Sequence, residues 1–321
     1  MAQTSHESAG RQPSGDDSIQ FTCNLCGKGN RRPAQELTRE TATCGSCGST
    51  VRERGLLRAL SLELFAASLA VPDFPCMKSL RGIGTSDNIH YASLLSEKFD
   101  YRNTFHDRPP CFDIMSPNED EFGKYDFVLS SEVFEHVPPP VETAFTNVYR
   151  LLKPSGVLVF TVPYSKEDRS LEHFPDLNEY AVTQVGAHSV LVNRTREGSL
   201  QVFDNLVFHR DPSAPPGAGV PLEMREFSEG DLKSILAKVG FTGMRVHGDS
   251  FERFGILWPE PWSLPIAARK GEYAMSREAA REIMERWTKL REDLGRLKSV
   301  VDATQRAAWM RLGRALRLIS R

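Results

Sequence analysis

The chain has 321 residues, of which 40% are hydrophobic and 26% charged, so it can bury a sizeable core as globular proteins do. Its formal net charge of −2 excludes the overall basic excess that is typical of nucleic-acid-binding domains. No apolar run of about 18 residues is present, which excludes a membrane-spanning helix of ordinary length.

Changes of composition along the chain predict five segments. The first is polar and lacks the apolar stretch of a secretion signal, so we expect a disordered leader and a cytoplasmic protein. The predicted segments are the leader (1–19), a cysteine module (20–50), a linking helix (51–75), an α/β domain (76–270) and a helical extension (271–321).

The cysteine module contains two CxxC pairs separated by 17 residues, formed by Cys23 and Cys26 and by Cys44 and Cys47. In a chain without a secretion signal, such pairs indicate metal ligands rather than disulfides. Four thiolates suit a tetrahedral structural zinc and leave no open coordination position for catalysis. A zinc ribbon is therefore predicted; iron in the same cage, or cysteines with a redox role, are the alternatives.

Short apolar runs then alternate with helical stretches, which predicts an α/β fold of the Rossmann-like, doubly wound kind with a mainly parallel sheet. The predicted strands cover 78–84, 101–107, 111–114, 125–131 and 156–163. A β-hairpin insertion is predicted at 189–210, a helix at 227–241, and two further strands near 242–248 and 263–270.

The last fifty residues carry a different pattern. Apolar residues step mostly by four and three, which is a heptad seam with a gap near Gln305. Its members are Ile283, Trp287, Leu290, Leu294, Leu297, Val301, Ala308, Leu312, Ala315 and Ile319. We expect a helix or helical hairpin that packs on its own domain or forms a homodimer; its basic end leaves a membrane or nucleic-acid surface as the alternative.

The segment from Tyr125 to Pro163 resembles the fourth strand, following helix and fifth strand of class I S-adenosylmethionine (SAM)-dependent methyltransferases of the type 11-like group. The match includes the histidine after the strand and R-x-L-K-P-x-G at the end of the helix. The matching residues are Asp126, Val128, Ser130, Val133, His136, Val137, Arg150, Leu152, Lys153, Pro154 and Gly156. The resemblance implies that the protein is an enzyme with SAM as its cofactor.

The same resemblance implies a cofactor-binding loop after the first strand. The family has an acidic residue and three alternating glycines there. In this chain Gly82 occupies the position of the acidic residue. Gly84, Ser86 and Asn88 stand at the three glycines. The loop therefore departs from the family pattern. A lone GxG is also compatible with a plain tight turn.

Three further places in the sheet are implied as cofactor contacts. Asp107 matches the acid that binds the ribose hydroxyls, with a turn residue as the alternative reading. Asp113 and Ile114 match the pair that faces adenine, and Ser130 lies at the end of the fourth strand. The connection from Asp107 to Asp113 is too short for the helix usually found there.

A histidine beyond the fifth strand is the predicted catalytic residue. His173 can serve as a general base because an imidazole can take up a proton near neutral pH, and Glu172 and Tyr164 are neighbours that could orient it. The alternative is a packed or capping histidine. His136 is predicted to be a structural residue at the start of a helix.

Fragments such as EHFPDLNEY and FGILWPEPWSLPIAARK resemble a bacterial methyltransferase subgroup with an N-terminal CxxC module, over about residues 20–270. The leading hypothesis is methyl transfer to an oxygen or nitrogen of a small-molecule or glycan acceptor. RNA methylation is a second hypothesis, suggested by arginines in the cysteine module and at the C-terminus. A methyltransferase-like binding subunit without catalysis is a third, suggested by the unusual glycine loop.

Overall fold

The computed structural model describes residues 18–186, 188–208, 222–272 and 277–315. The predicted leader lies outside these residues except for Ser18 and Ile19, which begin the first strand. The predicted seam residue Ile319 also lies outside them. No helix within the described ranges combines the length and the apolar character needed to cross a bilayer.

The N-terminal module is a two-stranded antiparallel sheet followed by a helix. Its elements are β1 (Ser18–Thr22), β2 (Gly29–Pro33) and α1 (Val51–Phe65). Helix α1 begins with a capping box, in which the Thr50 side chain accepts from the backbone N–H of Glu53 and the Glu53 carboxylate accepts from that of Thr50. It ends at Ala66, which adopts a left-handed conformation.

The central domain follows in the predicted alternation of strands and helices. Its first elements are β3 (Met77–Thr85), α2 (Ile89–Lys98), β4 (Phe99–Thr104), β5 (Tyr125–Ser131), α3 (Glu142–Leu151) and β6 (Leu152–Thr161). Short strands and the predicted insertion come next: β7 (Tyr164–Ser165), β8 (Leu171–Glu172), β9 (Glu179–Val185), β10 (His188–Arg194), β11 (Leu200–Phe203) and β12 (Arg225–Ser228). The chain continues through α4 (Glu229–Val239), β13 (Gly243–Val246), β14 (Ile266–Arg269) and α5 (Arg277–Ala315).

Six strands form the main sheet of the described chain, in the order β13-β14-β6-β5-β3-β4. The four strands β3, β4, β5 and β6 run parallel, whereas β14 is antiparallel to both of its neighbours. Thr104, Thr85, Ser130 and Phe160 lie side by side across the four parallel strands, so their carboxyl ends meet at one edge. The predicted Rossmann-like fold is confirmed.

Alternate residues of the central strands pack on opposite faces of the sheet, because side chains of a strand alternate with period two. Phe127 and Leu129 join the core beneath α1 and α2. Val128, between them, joins the core beneath α3 and α4. All three side chains are almost completely buried, which explains why β5 is a continuous apolar run in the sequence.

One predicted strand does not form. Residues 111–114 contribute a single bridge, from Cys111 to Phe105, instead of a third strand. The chain turns back too soon: the Phe105 N–H donates to the carbonyl of Pro110, and the Phe112 N–H donates to that of Phe105. The predicted hairpin is present as β10 and β11, and β9 extends it to three strands.

The heptad segment forms one long helix, α5, rather than a hairpin within residues 277–315. Its first part is anchored to the domain: Met284 is buried, Trp287 donates its indole N–H to the Asp73 carbonyl, and Arg291 pairs with the Asp73 carboxylate at 2.8 Å. Farther along, large apolar side chains of the helix are exposed at Leu290, Leu294, Leu297, Val300, Val301, Trp309 and Met310.

Candidate active site and metal centre

The four predicted metal ligands come together. The sulfur atoms of Cys23, Cys26, Cys44 and Cys47 all lie within 4.8 Å of one another, and the pairs Cys23–Cys47 and Cys26–Cys44 are 3.7 and 3.6 Å apart. Zn–S bonds of about 2.3 Å in a tetrahedron separate the sulfurs by about 3.8 Å, so the arrangement fits a structural Zn²⁺.

Two glycines shape the metal-binding turns. Gly27 and Gly48 have φ of 73° and 69°, a left-handed conformation that glycine adopts without steric cost. Each donates its backbone N–H to the carbonyl of the first cysteine of its pair, Gly27 to Cys23 at 2.8 Å and Gly48 to Cys44 at 2.9 Å. These bonds close the two turns, so both sulfurs of a pair point to the same side.

A buried arginine lies beside the cysteine cluster. Arg54 of α1 is 0% exposed and donates to the Ser49 and Gly255 carbonyls and to the Thr43 hydroxyl at 2.8 to 2.9 Å. With Zn²⁺ bound, four thiolates would carry a net charge of −2, which the guanidinium would offset in part. Because Gly255 belongs to the central domain, Arg54 also fixes the module to that domain.

A cavity of about 310 Å³ opens at the carboxyl edge of the parallel strands, where ligands bind in open α/β sheets. Its wall combines apolar side chains with a few polar groups, as small-molecule sites do. The lining residues are Thr85, Ser86, Thr104, Phe105, His106, Phe112, Asp113, Ile114, Met115, Glu132, Val133, His136, Val137, Pro138, Leu222 and Met224.

Three of the predicted cofactor residues lie on this wall: Ser86, Asp113 and Ile114. One oxygen of the Asp113 carboxylate accepts the Met115 N–H at 2.8 Å, which leaves the other oxygen for a ligand. Asn147 of α3 holds the loop from behind by donating to the Ile114 and Met115 carbonyls. The loop that carries Asp113 and Ile114 is therefore fixed, and the contact of this pair with adenine stays a prediction.

The predicted glycines Gly82 and Gly84 lie beneath the cavity rather than on its wall. A Cβ on Gly82 would lie 2.2 Å from the Phe127 ring, and one on Gly84 would lie 2.0 Å from both the Asp87 carboxylate and the Tyr101 hydroxyl. Both glycines thus make room for protein side chains. Their role in cofactor binding stays a prediction.

Asp87, which sequence reasoning did not select, is the centre of a buried cluster under the glycine loop. Its carboxylate accepts hydrogen bonds from the hydroxyls of Tyr91 and Tyr101. Burial raises the pKa of Asp87 to about 7, although those hydrogen bonds act in the opposite direction. The motif G-I-G-T-S-D therefore folds the loop around its own aspartate.

The remaining cofactor candidates differ in position. Ser130 is fully buried at the end of β5 and accepts from the Thr85 hydroxyl at 2.9 Å. Asp107 is exposed and does not line the cavity, whereas the preceding residue, His106, does. The ribose-binding role of Asp107 remains a prediction.

His173 is not among the residues that line the cavity. Its backbone N–H donates to the carbonyl of Met224, a lining residue, so it stands one strand away. His136 does line the cavity; its Nδ1 lies 3.0 Å from the Leu222 carbonyl and its Nε2 lies 3.7 Å from the Glu135 carboxylate. Burial raises the pKa of Glu135 well above its usual value.

The cysteine module reaches this cavity through an ion pair. Arg39 donates to both oxygens of Glu132 at 2.8 and 3.2 Å, and Glu132 lines the cavity. Burial alone would raise the pKa of Glu132, but the charges of Arg39 and Arg52 outweigh it and lower that pKa. No local pattern marks this pair, because 93 residues separate its partners.

Comparison with known proteins gives one family match: residues 59–200 fit a model described as a methyltransferase domain. No protein of curated function matches the chain. Among solved structures, a sugar N-methyltransferase from Streptoalloteichus is 12% identical, with 84% of this chain and 100% of that chain covered and a TM-score of 0.38.

Two further solved structures show similarity at the same level. The 1,6-didemethyltoxoflavin N1-methyltransferase of Burkholderia thailandensis is 15% identical, covering 68% of this chain and 79% of that chain with a TM-score of 0.35. A SAM-dependent methyltransferase of Clostridium acetobutylicum is 13% identical, covering 67% and 98% with a TM-score of 0.35. At these values the solved structures add nothing to what the strand order shows.

Proposed function

Residues 59–200 fit a methyltransferase domain model, and on that premise we propose that the chain transfers the methyl group of SAM to an oxygen or nitrogen of a small-molecule or glycan acceptor. The observation that carries the proposal is the 310 Å³ cavity at the carboxyl edge of the parallel strands, with Ser86, Asp113 and Ile114 on its wall.

The residues of this cavity suit the adenosine half of SAM. The free oxygen of Asp113 can accept a hydrogen bond from the exocyclic amine of adenine. Ile114, Phe112 and Met115 supply an apolar surface for the adenine ring. Asp107 is proposed to bind the ribose hydroxyls. The preceding residue, His106, lines the cavity.

SAM supplies an electrophilic methyl group when bound, so the protein has to orient the acceptor, exclude water and receive one proton. His173 is the proposed proton acceptor. His136 is the second candidate, because it lies on the cavity wall and is held through its Nδ1. Activity profiles of His173→Gln and His136→Gln against pH, once an acceptor is in hand, separate the two.

Calorimetry with S-adenosylhomocysteine tests the cofactor assignment. We expect binding to the wild type and about tenfold weaker binding to Asp113→Asn, which keeps the bond to Met115 but loses a charged acceptor. Asp120→Asn, an exposed aspartate that does not line the cavity, is the matched control. Absence of detectable heat from the wild type at millimolar ligand would refute the proposal.

For the acceptor, the net charge of −2 supports a small molecule or glycan over RNA. Binding to immobilised RNA, weakened steeply by salt, would instead favour the RNA alternative, because phosphate contacts release counterions.

We also propose that α5 forms a homodimer. Leu290, Leu294, Leu297 and Val301 follow heptad spacing and are each more than half exposed, which is the pattern of a coiled-coil seam that lacks its partner helix. Light scattering should give a dimer for the wild type and a monomer for Leu294→Glu. Ser299→Glu, on the opposite side of the helix, should stay dimeric; a monomeric wild type would contradict the proposal.

For the metal, Cys23, Cys26, Cys44 and Cys47 are the proposed zinc ligands. Elemental analysis of gently purified protein should give about one zinc per chain, and iron in its place would revise the assignment.

A further inference from the structure

The cavity lacks a cation for one part of SAM. The methionine half of SAM carries a carboxylate, and anions in protein sites are bound by arginine, lysine or backbone N–H groups. The charged lining residues are Asp113 and Glu132, which are acids, together with the histidines His106 and His136. No arginine or lysine lines the cavity within the described part of the chain.

The start of helix α1 lies across the edge of the sheet beside this cavity. Arg52 donates through its Nη1 to the hydroxyl of Ser131, at the end of β5. The next residue, Glu53, accepts from the side-chain amide of Asn88 in the loop after β3, at 2.8 Å. The first turn of α1 therefore joins the end of β5 to the loop after β3, next to the lining residues Glu132 and Ser86.

Two other arginines near the cavity are less suited to bind an anion. Arg39 uses its Nε on the Ser263 carbonyl and both terminal nitrogens on Glu132 and Glu40. The Nη2 of Arg225 has no hydrogen-bond partner among the described residues, but it is buried in a side chain that is 1% exposed and that pairs with Glu172 outside the cavity, so a ligand does not reach it.

Arg52 retains donors. Its Nε binds the carboxylate of Glu40 at 2.9 and 3.0 Å and its Nη1 binds Ser131, while its Nη2 makes no hydrogen bond with any residue the structure describes. The side chain is 17% exposed, so a ligand can reach it, and Glu40 holds the guanidinium in place. Burial lowers the pKa of Arg52, but the charges of Glu132 and Glu40 outweigh it, so the side chain stays charged.

We propose that Arg52 is a cofactor-binding residue that pairs with the carboxylate of the methionine half of SAM. The inference rests on the proposed function, since it assigns one contact of the same site. It gives the N-terminal module a role in the reaction: the ribbon holds Arg52 through Glu40 and through the Arg39 carbonyl, which accepts the Arg52 backbone N–H at 3.0 Å.

Two ligands separate this role from a structural one. S-adenosylhomocysteine carries the carboxylate, whereas 5′-methylthioadenosine has the same adenosine and sulfur without it. By calorimetry on the full zinc-loaded chain, Arg52→Ala should weaken S-adenosylhomocysteine binding about 10- to 100-fold, the loss expected for a hydrogen bond to a charged group. Binding of 5′-methylthioadenosine should stay within about twofold of the wild type.

Arg52→Lys keeps the charge and should recover part of the affinity for S-adenosylhomocysteine. Arg58→Ala is the matched control, because Arg58 lies on the same helix but binds Ser68 and the Asp249 carbonyl instead. Circular dichroism and zinc content confirm that each variant is folded, and Arg52→Gln replaces any variant that is not.

Equal weakening of both ligands would overturn the inference, because it would indicate a structural effect on the whole cavity. Unchanged binding of both ligands would overturn it as well. A wild type that binds neither ligand would be a different result, since it would refute the proposed function itself.

Discussion

The buried arginine behind the cysteine cluster provides the sharpest test of how the N-terminal module is stabilised. Arg54→Met keeps the aliphatic part of the side chain but removes the guanidinium. The carbonyls of Ser49 and Gly255 and the hydroxyl of Thr43 then lose a donor at positions that water does not reach.

The Ser49 carbonyl keeps the backbone N–H donors of Thr43 and Cys44, so the Gly255 carbonyl and the Thr43 hydroxyl are the groups that lose their partner. Each buried polar group left without a partner costs about 1 to 3 kcal/mol, so the free energy of unfolding should fall by about 2 kcal/mol or more. For a protein of this size we expect the melting temperature to drop by about 3 °C or more. The variant should also lose zinc to a chelator sooner than the wild type, because Arg54 offsets the negative charge of the four thiolates.

Differential scanning calorimetry and zinc release to a colorimetric chelator measure the two effects. Arg58→Met is the control: it lies one turn farther along α1, and its contacts to Ser68 and Asp249 are partly exposed. Equal melting temperatures and equal zinc release for Arg54→Met and the wild type would show that the guanidinium is not what holds the module.

Three more predictions follow from the same contacts. Gly82→Ala should lower the free energy of unfolding by about 1 to 3 kcal/mol, and with it the melting temperature, because the new Cβ would overlap the Phe127 ring. Adding Phe127→Leu should recover part of the loss. Equal stability of Gly82→Ala and the wild type would contradict this. Asp87 is protonated in the folded state up to a pKa of about 7 but ionises near pH 4 when unfolded, so the folded state binds more protons between these values and its stability should fall as pH rises through that window. Urea unfolding at pH 5 and 7.5 should show a steeper loss of stability for the wild type than for Asp87→Asn, by at most about 2.5 kcal/mol, and parallel losses would refute the reasoning. Cys44→Ala should abolish stoichiometric zinc binding and lower the melting temperature, whereas Cys76→Ala, an exposed cysteine outside the cluster, should leave both unchanged.

Local patterns in the sequence were enough for the features that depend on neighbours along the chain. Two CxxC pairs with glycines in their turns form the predicted four-sulfur cluster, because the geometry of each pair is set by a few consecutive residues. The alternation of apolar runs and helical stretches predicted the α/β fold, since the central strands are buried on both faces. The segment from Tyr125 to Pro163, which carries the predicted resemblance, lies within residues 59–200 that fit the methyltransferase domain model.

Only the tertiary structure decided how the cavity is built. Gly84 makes room for Asp87 of its own loop and for Tyr101, which approaches from β4, and residues 111–114 leave the sheet because the loop after β4 turns back on itself. The contacts of Arg39 with Glu132 and of Arg52 with Ser131 join residues 93 and 79 positions apart. Such pairs leave no periodic or local signal, because they depend on how the cysteine module packs against the strand ends.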